Sequence, residues 1–314
     1  MTALAHDETA TIHVIVTCTN RKTRTVPAHL RLAHVRGASA SQRALKWIAR
    51  LAKEHADRGV PARDLYAGEH WTIARGLPDY GDAHEKVHLW TCSAGYGLIP
   101  ASAPIHPYAA TFAPGHADSV LDDPETWWRF LSEWKGPEPS APRTILALTQ
   151  ASPGALFMLM LSPPYLRACR NDIQAAATKA RRPDKFLLIS AGTRHPGDLA
   201  AILLPTDARL QSCLGGTRQA LNVRVGERLL KEGIRNRAAA ANYLSNLLKA
   251  QPPLARYDRK KLTDQEVIFL ITDALARSPG ASASRLLREF RDSGYACEQA
   301  RFGQLHRKLM ENPA

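Results

Sequence analysis

The sequence predicts an α/β protein, a mostly parallel sheet with flanking helices, followed by a C-terminal helical region of helix-turn-helix type. Three observations carry this expectation. Short apolar runs alternate with helix-period segments through the first two thirds of the 314 residues, the pattern of a parallel sheet covered on both faces. From Thr217 onward the texture changes to helix without evident strands. The apolar run 87–91 also breaks abruptly into a glycine-containing polar loop, as a buried strand does when it delivers side chains to the crevice at its C-terminal end.

Taken in order, 12–17 (IHVIVT) reads as the first strand and CTNRKT as its polar turn. A helix is predicted over 40–58, with Leu45, Ile48, Ala49 and Ala52 on its apolar face. Residues 64–68 (DLYAG) lead into a helix over 71–77, and 87–91 is the second strand. A short tryptophan-rich helix follows at 124–134. The run 144–149 (TILALT) reads as the third strand, with a helix opening at Ser152-Pro153-Gly154, where serine and proline suit an N-cap and first turn. The runs 186–190 and 199–204 read as strands four and five. Helices are then predicted over 218–231, 236–249, 264–277, 282–292 and 298–310, with a basic, proline-containing linker at 251–261. Thr263 and Glu266 form a capping box, and Ser293-Gly294 supplies the bend of a helix-turn-helix. The expected division is an α/β catalytic domain over 1–215 and a basic helical nucleic-acid-binding region over 216–314.

Hydrophobic content of 45% and charged content of 23% are those of a globular protein with a sizeable core. No run approaches the roughly 20 apolar residues of a membrane span, and the start lacks the basic and apolar regions of a signal peptide. No membrane partner and a cytoplasmic location are therefore expected. Five widely spaced cysteines with no CxxC pair fit a reducing compartment and give no zinc ligand set, so neither metal nor cofactor is expected. A net charge of +13 makes DNA or RNA the default partner.

The stretch 90–116 concentrates the reactive side chains. It holds Cys92, Ser93, Tyr96, His106, Tyr108 and His116, with no carboxylate or lysine. A second candidate segment is 17–22, where Cys18 stands at a strand end beside Arg21 and Lys22, cations that favour the thiolate. Cys18 or Cys92 is the expected nucleophile, and Lys22 an alternative one if desolvated. Lys22, Tyr96 and His106 are expected proton donors, while Asn20, Ser93, Tyr108 and His116 are expected to bind substrate. Each has a plain structural alternative: the cysteines as buried small hydrophobes, the histidines as structural groups, and the tyrosines as packing under the loop. In the C-terminal helices Arg285, Arg288, Arg301, Gln304, Arg307 and Lys308 are the expected nucleic-acid contacts, the basic residues to phosphates and glutamine to base edges.

The order Thr17–Lys22 (TCTNRK), then DLYAG at 64–68, then TCSAGYGLI at 91–99, then PIHPY at 104–108 resembles the DUF6884 group related to the YaaA (DUF328) proteins. The resemblance covers roughly residues 10–120. It implies association with nucleic acid. The first motif is also similar to the Cys-Ser-x-x-Lys segment of archaeosine synthases, which act on the nitrile of a 7-cyano-7-deazaguanine (preQ0) base, although Thr23 stands here in place of the tyrosine that follows the lysine in those enzymes. Basic relatives of this kind, the DpdC group, belong to 7-deazaguanine DNA-modification clusters. The resemblance therefore implies a nitrile hydratase-like lyase converting the cyano base in DNA to the 7-amido base, with DNA and other proteins of such a cluster as partners. Two other classes stay open: a glycosylase or lyase using Lys22 as a Schiff-base amine, and a non-catalytic DNA-binding protein.

Overall fold

The structure, a computed structural model, describes residues 9–120, 123–254 and 258–311. It divides into two compact units, Met1–Pro252 and Pro253–Ala314. Residues 216–252, expected with the second domain, thus belong to the first unit.

The first unit is built on a five-stranded sheet of β1 (Ala10–Thr17), β2 (Glu85–Ser93), β3 (Gly97–Pro100), β4 (Leu156–Met160) and β5 (Phe186–Ile189). The order is β3-β2-β1-β4-β5, parallel throughout except for β3, which returns as a hairpin on β2. β1, β4 and β5 are buried along almost their whole length, which is why they read as continuous apolar runs rather than alternating ones. Winding proceeds outward from β1 to β2 and then restarts on its other side with β4. The switch point of this open sheet, where ligands sit in such folds, therefore lies at the C-terminal ends of β1 and β4.

The helices are α1 (Ala40–Leu51), α2 (Glu69–Gly76), α3 (Pro124–Glu133), α4 (Ile145–Ala151), α5 (Pro163–Ala168), α6 (Arg170–Lys179), α7 (Leu221–Lys231) and α8 (Arg237–Lys249). α3 packs against α1 and α5, while α2 packs with α7. Two of the predicted strands are corrected. TILALT is helix α4, capped by Thr144, whose Oγ accepts from Ala147 N at 2.9 Å, and by the Asp172 carboxylate, which takes Ile145 N and Leu146 N. The third parallel strand is instead LFMLM, β4, and Ser152-Pro153-Gly154 is the turn before it rather than a helix start. The run 199–204 starts in a 3-10 turn, Gly197–Leu199, and touches the sheet only through a bridge from Leu203 to Leu188. The first predicted helix ends at Leu51, not 58.

The second unit holds α9 (Asp264–Arg277), α10 (Ala283–Asp292) and α11 (Gln299–Glu311). The Thr263–Glu266 capping box is formed as expected. The link from α10 to α11 is longer than a helix-turn-helix bend, because after Gly294 the chain extends into Tyr295–Ala296, paired in parallel with Lys260–Lys261. Val267, Ile271, Leu286, Leu287, Phe290 and Phe302 lie in its own apolar core.

Candidate active site

The two Thr-Cys segments are not equivalent. Parallel register pairs Thr17 with Cys92, so Cys18 lies beyond β1 at the level of Ser93. Neighbouring residues on a strand point to opposite faces, and Cys92 is thus turned away from Ser93. Cys92 is fully buried beside the equally buried Cys169, both as free thiols, and the pKa of Cys169 is pushed up by burial and then by its neighbour Cys92. Cys18 keeps 7% exposure, and its Sγ lies 3.1 Å from the Tyr165 hydroxyl. Tyr165 enters from α5, the element following β4, so this contact bridges the switch point.

Lys22 is held against the DLYAG segment by a short antiparallel bridge to Tyr66. Thr23 N donates to Leu65 O and Ala67 N to Arg21 O, fixing the turn on both sides. The ammonium of Lys22 donates to Thr19 O at 2.8 Å and stands over the Tyr108 ring at 4.4 Å and the Tyr66 ring at 5.5 Å. Burial lowers its pKa from 10.5 to about 8, against the opposing pull of Cys18 and Asp118.

Beneath the lysine, Tyr108 Oη lies 2.9 Å from Tyr66 Oη and 2.7 Å from Ser93 Oγ. Ser93 Oγ already accepts from Gly95 N at 3.2 Å and Tyr96 N at 2.9 Å, so its own proton goes to the tyrosines. Tyr108 also neighbours Cys18, and its pKa is raised first by burial and then by the charge Cys18 would carry. Burial likewise raises the pKa of Tyr66 and Tyr165 well above the ordinary phenol value. The cluster thus consists of a thiol, a partly desolvated amine and three neutral phenols. It suits attack by sulfur with stabilisation of a developing anion.

The SAGYG loop makes the floor of this cluster. Its carbonyls are held by Trp47 Nε1 to Gly95 O and Trp127 Nε1 to Ala94 O, each 2.8 Å. Gly95 is required because a Cβ there would overlap the Tyr108 ring. Arg143, unnoticed in the sequence, is half-buried behind the hairpin and donates to Leu98 O, Leu131 O, Trp134 O and Tyr96 O. Burial brings its pKa down to about 10.

The structure brings together Cys18, Lys22, Ser93 and Tyr108 of the expected site and adds Tyr66 and Tyr165. The others stand apart. The Tyr96 hydroxyl accepts from His106 N at 3.0 Å. The His106 ring donates to His55 O at 2.8 Å and lies 3.6 Å from the Glu54 carboxylate. The Asn20 and His116 side chains are exposed. A cleft of about 530 Å³ lined by Arg63, Asp79, His88 and Trp90 holds none of the cluster's residues.

In the second unit Arg301 is engaged by Asp264 at 2.7 Å and by Leu262 O at 2.9 Å, tying α11 to the start of α9. Arg285 pairs with Glu289 at 3.0 Å. Arg288, Gln304, Arg307 and Lys308 are exposed. Comparison of the chain with protein-family models, curated proteins and solved structures finds no match.

Proposed function

We propose that the protein is a thiol-dependent enzyme that hydrates the nitrile of 7-cyano-7-deazaguanine in DNA to the carboxamide. The observation that carries this reading is the Cys18 thiol at the switch point, 3.1 Å from Tyr165 and within the electrostatic reach of the Lys22 amine. A nitrile carbon is a weak electrophile, and a thiolate held against neutral hydroxyl donors is suited to attack it. Cys18 Sγ adds to the carbon, and the nitrogen takes a proton from the Lys22 ammonium, giving a thioimidate. Water adds to that carbon, the carbon–sulfur bond breaks to return the thiolate, the amide leaves, and the one proton left over from water goes back to the Lys22 amine. Atoms balance as nitrile plus one water. A base inside a duplex must be flipped out to reach Cys18. Gln304, Arg288, Arg307 and Lys308 on α10 and α11 are assigned to hold the DNA.

Mass spectrometry of cyano-modified DNA after incubation tests the proposal: a gain of one water that depends on Cys18 is expected, and unchanged mass with folded protein overturns it. A second reading draws on Lys22. With a pKa near 8, about a tenth is free amine at neutral pH, far more than for an ordinary lysine, as a Schiff-base lyase requires. Borohydride trapping of a covalent DNA adduct through Lys22 would replace the hydratase reading with that one.

A further inference from the structure

We infer that the loop over the thiol is itself a seat for backbone phosphates, with Arg21 and Arg24 as the anchors, so that a DNA strand is held by the first unit beside the reacting base. This rests on the proposal that the substrate base belongs to a nucleic acid. Three observations lead to it. First, the charge excess divides unequally between the units: residues 253–314 hold 11 Lys+Arg and 8 Asp+Glu (+3), leaving 31 and 21 (+10) in residues 1–252. Second, the stretch 20–25, NRKTRT, is exposed at every position except Lys22, which turns inward to the tyrosines. Arg21 and Arg24 have no side-chain partner among the described residues. Third, the loop is rigid. Thr23 donates through N to Leu65 O and through Oγ1 to Asp64 O at 2.9 Å, while Arg21 O takes Ala67 N and Thr19 Oγ1.

The strand logic then separates two roles. In the bridged pair Lys22 and Tyr66, the inward residue serves the base, and its neighbours Arg21 and Thr23 face outward. A flipped nucleotide is attached to its own phosphates, so cations one or two residues from the lysine stand where those phosphates must pass. Arginine gives bidentate contact to phosphate oxygens, and a pre-ordered backbone lowers the entropy lost on binding.

The test uses the full-length chain and an unmodified single-stranded DNA oligonucleotide, with affinity measured against salt. Arg21→Gln/Arg24→Gln should weaken binding severalfold and lower the salt slope by roughly one to two units, since each phosphate contact on a single strand contributes about 0.7. Arg21→Lys/Arg24→Lys should keep the slope near that of wild type, which separates lost charge from disturbed structure. Curves for the glutamine variant that superimpose on wild type overturn the seat, as does undetectable binding of wild type at low salt. Binding of a mononucleotide monophosphate that is as sensitive to the variant as DNA binding would reassign the seat to a single nucleotide's phosphate. Hydration of cyano-modified DNA is measured in parallel. Absence of any water gain in cyano-modified DNA, with the salt slope lost in the glutamine variant, would sink the hydratase while the seat stands.

Discussion

One step of strand register separates the two candidate nucleophiles, and the consequence is measurable. Cys92 faces Cys169 in the sealed interior, whereas Cys18 faces Tyr165 and Lys22. Cys18→Ala should abolish hydration, by at least about a thousandfold as for other nucleophile deletions. Cys92→Ala should keep activity within a few fold and cost about 1–2 kcal/mol of stability through the void it leaves. Equal loss in both would place the chemistry elsewhere. Lys22 makes a second prediction through its pKa near 8. As the acid that protonates nitrogen it must be charged, so kcat/KM should fall as pH rises through about 8. A rise there instead would favour the amine nucleophile. The stability effect has the opposite direction: burial penalises the charged form by roughly 3 kcal/mol while the folded group is protonated. That penalty is relieved between pH 8 and the unfolded value of 10.5, where the unfolded chain binds more protons. Wild type should therefore gain stability over that window relative to Lys22→Met, and parallel curves would refute the desolvation. Cys18, Lys22, Ser93 and Tyr108 were legible because reactive types cluster locally in the sequence. Tyr165 was not, because it meets Cys18 only through the crossover from β4 to α5, 147 residues away.

At the scale of elements, composition misled where it competed with capping. TILALT has the threonines and isoleucine of a strand, yet Thr144 and the distant Asp172 supply the donor-satisfying groups that start a helix there. LFMLM lacks β-branched residues and is a strand because both faces are buried. The helices from 221 onward were legible since Asn236, Thr263 and Ser282 each cap through their own side chains. The β2–β3 hairpin depended on a close approach no periodicity reveals: Gly95 lies flat against Tyr108. Gly95→Ala should push the ring away, break the Ser93–Tyr108–Tyr66 chain and cost about 1–3 kcal/mol. Its activity should fall even at temperatures where it is fully folded. A variant of wild-type stability and rate would show that the contact is slack.

Across the whole molecule, the charge and the core argue for a first unit that stands alone. Its apolar cluster runs from Ile12 to Leu248, and the second cluster begins at Leu262, so the two cores share no residue. The change of texture near 217 marked the end of the sheet, not of the domain, because α7 packs on β4 and β5 and α8 continues the same core. Helical texture alone could not reveal this, since the apolar face of a helix is the same whether a sheet or another helix covers it. A chain ended at Pro252 retains that core entire, together with the thiol cluster and a net charge of +10. It should melt in one cooperative step within a few degrees of the corresponding transition in the full chain. It should also keep hydration of cyano-modified DNA and the part of the salt dependence of DNA binding that Arg21 and Arg24 supply. Calorimetry and the salt titration of the shortened chain check both. A broad, non-cooperative melt would mean that α9–α11 complete the first unit's fold. A cooperative melt with the salt slope gone would remove the seat at Arg21 and Arg24 and leave Arg288, Arg307 and Lys308 as the phosphate contacts.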